Sequence, residues 1–429
     1  MTRNLDKLLQ TLPDDDVLSQ CIHCGMCLAT CPTYELTKLE RSSPRGRIRL
    51  IHAVAKGEIQ ITGTFAYEMN FCLDCEACET ACPAGVKYGS MVQASRALIA
   101  RAGHETLLKK IIKKIIFRHL LLYPERFRAV ARLLYYYQNS RIRRGIHSSK
   151  VMKKYFGFLI ELDKLAPPVS KVFGNELIPE IIMPYKKSGY KTAVLTGCLM
   201  DVMFAGVNLD TVDVLKKLNC EVIKPGNQFC CGSLPGHNGD FLTAKELARK
   251  NIDAFEKYEY DYLVSNSSGC GAFMKEYKYL LKEDPLYAAK AEVFSNKVKD
   301  IMEFISEKFP HVTYNNFNET VTYHDACHLV HSQKIFNEPR RILNSINELK
   351  LIELEEASWC CGSAGIYNII HYKDSMKLLE RKMNHIRGTK AKIVLAGNHG
   401  CIAQLKYGAL KFNVNVEVQH PVTLIKNIL

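Results

Sequence analysis

The sequence predicts an α/β protein with an α-helical N-terminal domain, in which a small cysteine-rich helical unit precedes two pseudo-symmetric α/β cysteine-rich repeats. Three observations carry this. The stretch CIHCGMCLATCP from Cys21 has a near copy, CLDCEACETACP, from Cys72. Further on, a single cysteine, a Cys-Cys-Gly triplet and a last cysteine recur in the same order. The first set is Cys198, Cys230-Cys231-Gly232 and Cys270; the second is Cys327, Cys360-Cys361-Gly362 and Cys401. Around both sets, short apolar runs alternate with segments of helical period, the pattern of parallel α/β units.

The chain of 429 residues has room for two or three domains. Residues 1–100 carry the two cysteine dodecamers. Residues 101–190 are cysteine-free, basic and rich in Leu, Ile and Tyr. Residues 191–310 and 320–429 are the two repeats. No apolar run reaches the roughly 18 residues that span a bilayer. The leading MTRNLDKLLQTLPDDD has no apolar h-region, so a cytoplasmic location is expected. Cellular thiols keep disulfides reduced in that compartment, and the 17 cysteines are an odd number, so a closed disulfide framework is not expected. Metal ligation is the reading that remains.

The elements follow in order. RGRIRLIHAV, between the dodecamers, is helical, so the first domain is read as mostly helix. In the first repeat TAVLTGC is a strand ending in Cys198, residues 207–218 a helix, EVIKPG a strand, TAKELARKNIDAFEKY a helix, and YLVSNSSGC a strand running out at Cys270. The second repeat matches with VTYHDAC, EPRRILNSI, LIELEEAS, KDSMKLLERKMNHI and IVLAGNHGC. Parallel sheets place ligand sites outside the carboxyl ends of their strands, which is where these cysteines fall. Cys220, outside the pattern, reads as a buried apolar side chain.

The dodecamer spacing C-x2-C-x2-C-x3-C-P is the bacterial ferredoxin run, whose fourth cysteine ligates the other 4Fe–4S cluster. Cys21, Cys24 and Cys27 then share a cluster with Cys82, and Cys72, Cys75 and Cys78 share one with Cys31. Zinc favours two separated C-x2-C pairs instead. In the repeats, adjacent cysteines cannot point the same way in a strand. Each CCG therefore implies an irregular loop in which the glycine lets the backbone approach a bulky ligand. One or more additional iron–sulfur clusters fit these loops, and zinc stays open as an alternative. His324, His328 and His399 lie beside these ligands and are read as hydrogen-bonding to them rather than as ligands.

CIHCGMCLATCPTYEL, SPRGRIRLI, SGCGAFMKEY and CCGSAGIYN closely resemble the iron–sulfur subunit of bacterial glycolate oxidase, and the resemblance runs over essentially the whole chain in the same order. It implies an electron-transfer subunit. Separate flavin subunits of such complexes oxidise a 2-hydroxy acid such as glycolate or D-lactate, and this subunit passes the electrons to a membrane acceptor such as quinone. Anaerobic glycerol-3-phosphate dehydrogenase and heterodisulfide reductase share the architecture and are the alternative reading. Heterodisulfide reductases have five thiols per repeat, whereas each repeat here has four. With no Rossmann glycine fingerprint after a strand, no flavin site and no catalytic residue is assigned to this chain. A redox-inert, metal-stabilised adaptor is the reading from another class.

Residues 101–155 hold 15 Lys and Arg against two acids, Glu105 and Glu125, and so account for nearly all of the net charge of +14. On a wheel of ~100° per residue, Leu107, Leu108, Ile111, Ile112, Ile115 and Ile116 oppose Lys109, Lys110, Lys113 and Lys114. Segment 106–120 is therefore expected either to lie on the inner face of the cell membrane or to pack its apolar side on protein. Tyr135–Tyr137 cluster rather than interleave with the cations, and no nucleic-acid partner is expected. Arg45, Arg47 and Arg49 of SSPRGRIR either dock a partner or start a helix behind Pro44.

Overall fold

The computed structural model describes residues 12–186 and 189–429, without the side chains of residues 108 and 109. The leading stretch and the wheel positions of Leu108 and Lys109 lie outside the described residues.

The N-terminal unit is built from the helices Pro32–Thr37, Pro44–Ala55, Gly63–Phe71 and Tyr88–Arg101, with the cysteine runs as the loops between them. Ser43 caps the second of these helices by accepting from the Gly46 amide, with Pro44 in the first turn. A Cβ at Gly46 would fall 2.0 Å from the Glu40 carbonyl oxygen, so only glycine fits there. Ile51, Met69, Met91, Val92 and Leu98 are fully buried at its centre.

The basic segment forms Leu107–Lys114, then a π-helical turn over Ile115–Leu121, then Pro124–Asn139, Arg141–Ser148 and Lys150–Leu165. The π turn corrects the wheel expected up to residue 120. A π turn advances by less than 100° per residue, so Phe117 and Leu121 swing inward. They pack in the first repeat's core with Leu247, Phe255 and Met274. Leu165, at the far end, packs with Ile402 and Leu405 of the second repeat. The segment is thus a strap across both lobes.

Each lobe holds a parallel sheet. The strands are β1 (Ile181–Ile182), β2 (Lys191–Val194), β3 (Glu221–Ile223), β4 (Tyr262–Ser265) and β5 (Val298–Asp300), then β6 (Thr320–His324), β7 (Lys350–Ile352), β8 (Ile393–Ala396) and β9 (Glu417–Gln419). The first sheet runs β1-β3-β2-β4-β5 and the second β7-β6-β8-β9. Without β1, which pairs antiparallel with β3, the two orders superimpose strand for strand. β1 comes from residues assigned above to the 101–190 segment, so the first lobe begins earlier than 191. β5 and β9 are edge strands beyond the last cysteine of each repeat, where the cysteine pattern gives no landmark. The lobes also exchange helices. Ile301–Lys308 of the first packs on Asn337–Asn344 of the second, and Pro421–Ile428 of the second packs on Ala205–Lys217 of the first. Leu215, Ile301, Ile305, Ile342, Val422 and Ile425 meet in one shared core.

The two exchanged C-terminal helices are capped differently. Asp300 accepts from the Met302 amide at 2.9 Å, whereas His420 Nδ1 accepts from the Val422 amide at 3.1 Å. Burial pushes the Asp300 carboxyl from 3.8 up to about 7 and the His420 imidazole from 6.5 down to about 3. Between the two Asp300 values the folded chain holds a proton that the unfolded chain has released, so stability falls as pH rises. Between the two His420 values the unfolded chain holds the extra proton, so stability falls as pH drops. Asn caps equally well without titrating. Asp300→Asn is therefore expected to gain stability over wild type at pH 8 and His420→Asn at pH 5, read by denaturant unfolding. Gains at the same pH for both would contradict this.

Candidate metal centres

The two cysteine runs share a backbone device. His23 and Gly25 of the first are left-handed (φ 54° and 87°), as are Asp74 and Glu76 at the matching positions of the second (φ 55° and 59°). Alternate left-handed residues coil the loop tightly between successive cysteines. Cys21, Cys24, Cys27 and Cys82 line one small cavity, together with Arg45, Val86 and Tyr88. Cys24 is exposed, flanked by Ile22 and Met26 at 68% and 59% exposure. Cys78 reaches the wall of this cavity too, but its charge environment belongs to the other set. Burial, then the charges of Cys75, Cys72 and Cys31, push its thiol well up. Burial also raises Cys31 and Cys75. Thiols crowded and buried in this way do not ionise together unless a cation joins them, so the donor set fits a metal cluster.

Two arginines of SSPRGRIR, Arg45 and Arg47, hold the fold. Arg45 pairs with Glu40 at 2.6 Å and donates to the His23 carbonyl at 3.1 Å, which holds the first cysteine loop. Arg47 is fully buried. It donates to the Glu68 carbonyl at 2.8 Å and to Thr33 Oγ1 at 3.0 Å, and Thr33 Oγ1 lies 3.3 Å from Cys31 Sγ. Arg49 makes only an exposed pair with Glu58 at 3.4 Å.

In the repeats, Cys198 Sγ lies 3.6 Å from Cys230 Sγ. The thiols are in mutual contact: neighbouring Cys198 and then Cys231 hold Cys230 well below its ordinary value, and Cys360 and then Cys401 do the same for Cys361. Cys270 and Cys401 do not run out of strands as expected. Both sit in the first turn of a helix, Ser268–Lys275 and His399–Lys411, because the polar residues after β4 and β8 start a helix instead of prolonging the strand. The CCG glycines sit in irregular turns, as expected. Gly232 and Gly362 share φ +87°, and a Cβ on Gly362 would meet the Ser375 carbonyl at 2.8 Å. They form a left-handed turn packed on the following helix, and their amides donate to Cys230 Sγ at 3.5 Å and Cys360 Sγ at 3.4 Å. Tyr277 Oη fixes the first loop through the Cys231 carbonyl at 2.6 Å, and Asn251 through that of Cys230 at 2.9 Å. Cys220 is fully buried among Leu215, Leu218 and Val222.

The histidines separate by environment. His328 Nε2 donates to the Asp74 carbonyl at 2.9 Å, and His399 Nδ1 bonds Ser267 Oγ at 2.9 Å across the lobe interface. His324 has no hydrogen-bond partner on either ring nitrogen apart from the Cys361 thiol beside it. A joint invisible in the sequence ties the three units together. Asp74, nearly fully buried, meets Arg96 at 3.4 Å and His237 of the first repeat at 3.0 Å, while His328 of the second bonds its backbone. Next to it Phe71, Leu73, Cys360 and Tyr367 pack together with Cys75 against them. After burial itself, the charge that most opposes ionisation of Cys75 is that of Cys327. The second run therefore abuts the second repeat's thiols. Only the SPRGRIR motif hinted at the buried Arg47.

A helical unit with two clustered cysteine runs, joined to two cysteine-rich α/β lobes, defines a multi-centre iron–sulfur protein. Residues 17–86 match the family described as "4Fe-4S dicluster domain", residues 192–275 and 321–406 "Cysteine-rich domain", and residues 108–166 "Glycolate oxidase iron-sulfur subunit, linker region". The probable glycolate oxidase iron-sulfur subunit of Bacillus subtilis is 37% identical over 92% of this chain and 90% of its own length. The glycolate oxidase iron-sulfur subunit of Escherichia coli is 30% identical over 94% of each. Lactate utilization protein A of Oceanobacillus iheyensis is 30% identical over 54% of this chain and 94% of its own. The crystal structure of a hypothetical protein from Helicobacter pylori matches 89% of this chain and 76% of its own, with 12% identity and a TM-score of 0.42. The chain belongs to the family of glycolate oxidase iron–sulfur subunits.

Proposed function

We propose that this chain is the electron-transfer subunit of a 2-hydroxyacid dehydrogenase complex acting on glycolate or D-lactate. It receives electrons from a separate flavin subunit and delivers them to a membrane acceptor such as quinone. Two N-terminal 4Fe–4S clusters, on Cys21, Cys24, Cys27 and Cys82 and on Cys72, Cys75, Cys78 and Cys31, supply one-electron carriage. Cys198, Cys230, Cys231 and Cys270, and Cys327, Cys360, Cys361 and Cys401, hold the metal of the repeats. The observation that supports this most is the gradation of exposure. Cys24 reaches the surface between Ile22 and Met26, while Cys75 is half-buried against the second repeat. Such an arrangement offers a partner one accessible edge and shields the rest from water. The chain's residues hold the donors and exclude solvent, and oxidation of the hydroxy acid belongs to the partner.

Among the described residues no helix is long and apolar enough to cross a membrane. Leu107, Ile111, Ile112 and Ile115 are nonetheless exposed, beside Lys110 and Lys114, a surface suited to anionic lipid. The chain, captured anaerobically from its own cells, is expected to carry a flavin-containing subunit, seen by its absorption spectrum. Ile22→Asp with Met26→Asp should release the flavin and keep the iron. The purified chain should bind anionic vesicles, less so as salt rises. Flavin absent from the wild type, or retained by the double variant, would overturn the docking edge, and salt-insensitive or absent vesicle binding the lipid surface.

A further inference from the structure

The two repeats match strand for strand, yet they differ at one position that faces the thiols. Three residues before its first cysteine the second repeat has His324, and the first has Leu195. Leu195 is an ordinary core residue packed among aliphatic and aromatic side chains. His324 ends β6 opposite Ala396 and is 1% exposed. A ring nitrogen of His324 and the sulfurs of Cys361 and Cys401 all lie within 4.8 Å of one another. The ring nitrogens of His324 have no protein partner other than these sulfurs, and His324 helps to hold the Cys361 thiol down. Donors at ~2.3 Å (sulfur) and ~2.0–2.1 Å (nitrogen) from a metal sit roughly 3.5–3.8 Å apart, so these three can close on one metal with small movements.

We infer that His324 is a direct nitrogen ligand to the metal of the second repeat, beside Cys361 and Cys401, and that the two repeats therefore hold chemically different centres. This rests on the reading that the repeat cysteines bind metal. His328 and His399 each have one ring nitrogen held by a protein partner, and among the described residues only His324 lies with two cysteine sulfurs close enough to share one metal. The class of ion follows from the donors: thiolate with imidazole suits iron or zinc. Imidazole is neutral where thiolate is anionic, and exchanging thiolate for histidine raises the potential of an iron–sulfur centre. In the iron case the second repeat is then the more readily reduced of the two. It is also the one whose thiols the N-terminal unit approaches through Cys75.

The test uses the full chain, purified anaerobically after growth on ¹⁵N-histidine and examined by pulsed EPR after reduction. If metal analysis finds zinc in the repeats, Co²⁺ is exchanged in as the probe. A ¹⁵N coupling is expected in the wild type, so the result does not depend on any variant's folding. It should disappear in His324→Leu, which installs the first repeat's own residue, and in His324→Cys, which should keep the metal and, for iron, lower the midpoint potential. A coupling absent from the wild type, or surviving in His324→Leu, would overturn the inference while leaving metal binding intact. If Cys361→Ser loses no metal relative to wild type, the underlying reading falls and this inference with it.

Discussion

Cys82→Ser is expected to strip the cluster site formed by Cys21, Cys24 and Cys27 and to spare the one formed by Cys72, Cys75 and Cys78, although Cys82 belongs to the latter's run. Its thiol shares a cavity with the first three. Cys31→Ser should do the reverse, because Cys31 is tied by Thr33 and Arg47 into the buried side of the unit and lies in the charge field of Cys72. Each variant should lose about four irons per chain and one of two reduced-state EPR signals. The pair is more informative than either alone: the two variants must lose different signals. The Cys82→Ser spectrum should match that of Cys24→Ser, and the Cys31→Ser spectrum that of Cys75→Ser. Matching in the opposite sense would show that each run closes on itself.

Arg47→Met is expected to destabilise the N-terminal unit by roughly 3–5 kcal/mol, the usual cost of removing one member of a buried ion pair. Arg47 and Glu68 are both shielded from water, and their nearest charged atoms are 3.7 Å apart. Glu68 would keep Arg41 at 2.9 Å and Ser42 at 2.9 Å, which places the loss toward the lower end of that range. The Glu68 carbonyl and Thr33 hydroxyl would lose their donor as well. Since Thr33 bridges Arg47 and Cys31, the cluster site of Cys31 should be lost at lower denaturant than that of Cys21, Cys24 and Cys27. Arg47→Lys should recover only part of the stability, because a single ammonium cannot serve both the Glu68 carbonyl and Thr33 Oγ1 as the guanidinium fork does. Denaturant unfolding followed by cluster absorbance separates the two effects. A loss below about 1 kcal/mol, or simultaneous loss of both centres in Arg47→Met, would show that the arginine merely fills space.

By itself the sequence determined the inventory of this protein and its local grammar. Cysteine spacing within each run is a matter of a few backbone dihedrals, so both runs are legible in a string, although the left-handed residues at matched positions came only from the structure. The repeat is legible for a similar reason, because equal gaps between cysteines require equal numbers of elements between them. The alternation of strand and helix placed most elements within a few residues. Where it failed, at Cys270 and Cys401, the four polar or small residues between strand end and cysteine carried no period at all. The tertiary structure alone decided which set faces which. The fates of His324, His328 and His399 depend on Cys361, Asp74 and Ser267, the last two more than 100 residues away in sequence. The helix exchange between lobes, the inward swing of Phe117 behind a π turn, and the seating of Cys75 against the second repeat are likewise choices among faces of similar apolarity. Nothing within one segment distinguishes those faces. Burial energy settles them only when every segment packs at once, and a local pattern therefore names the donors of a centre without saying which of their neighbours completes it.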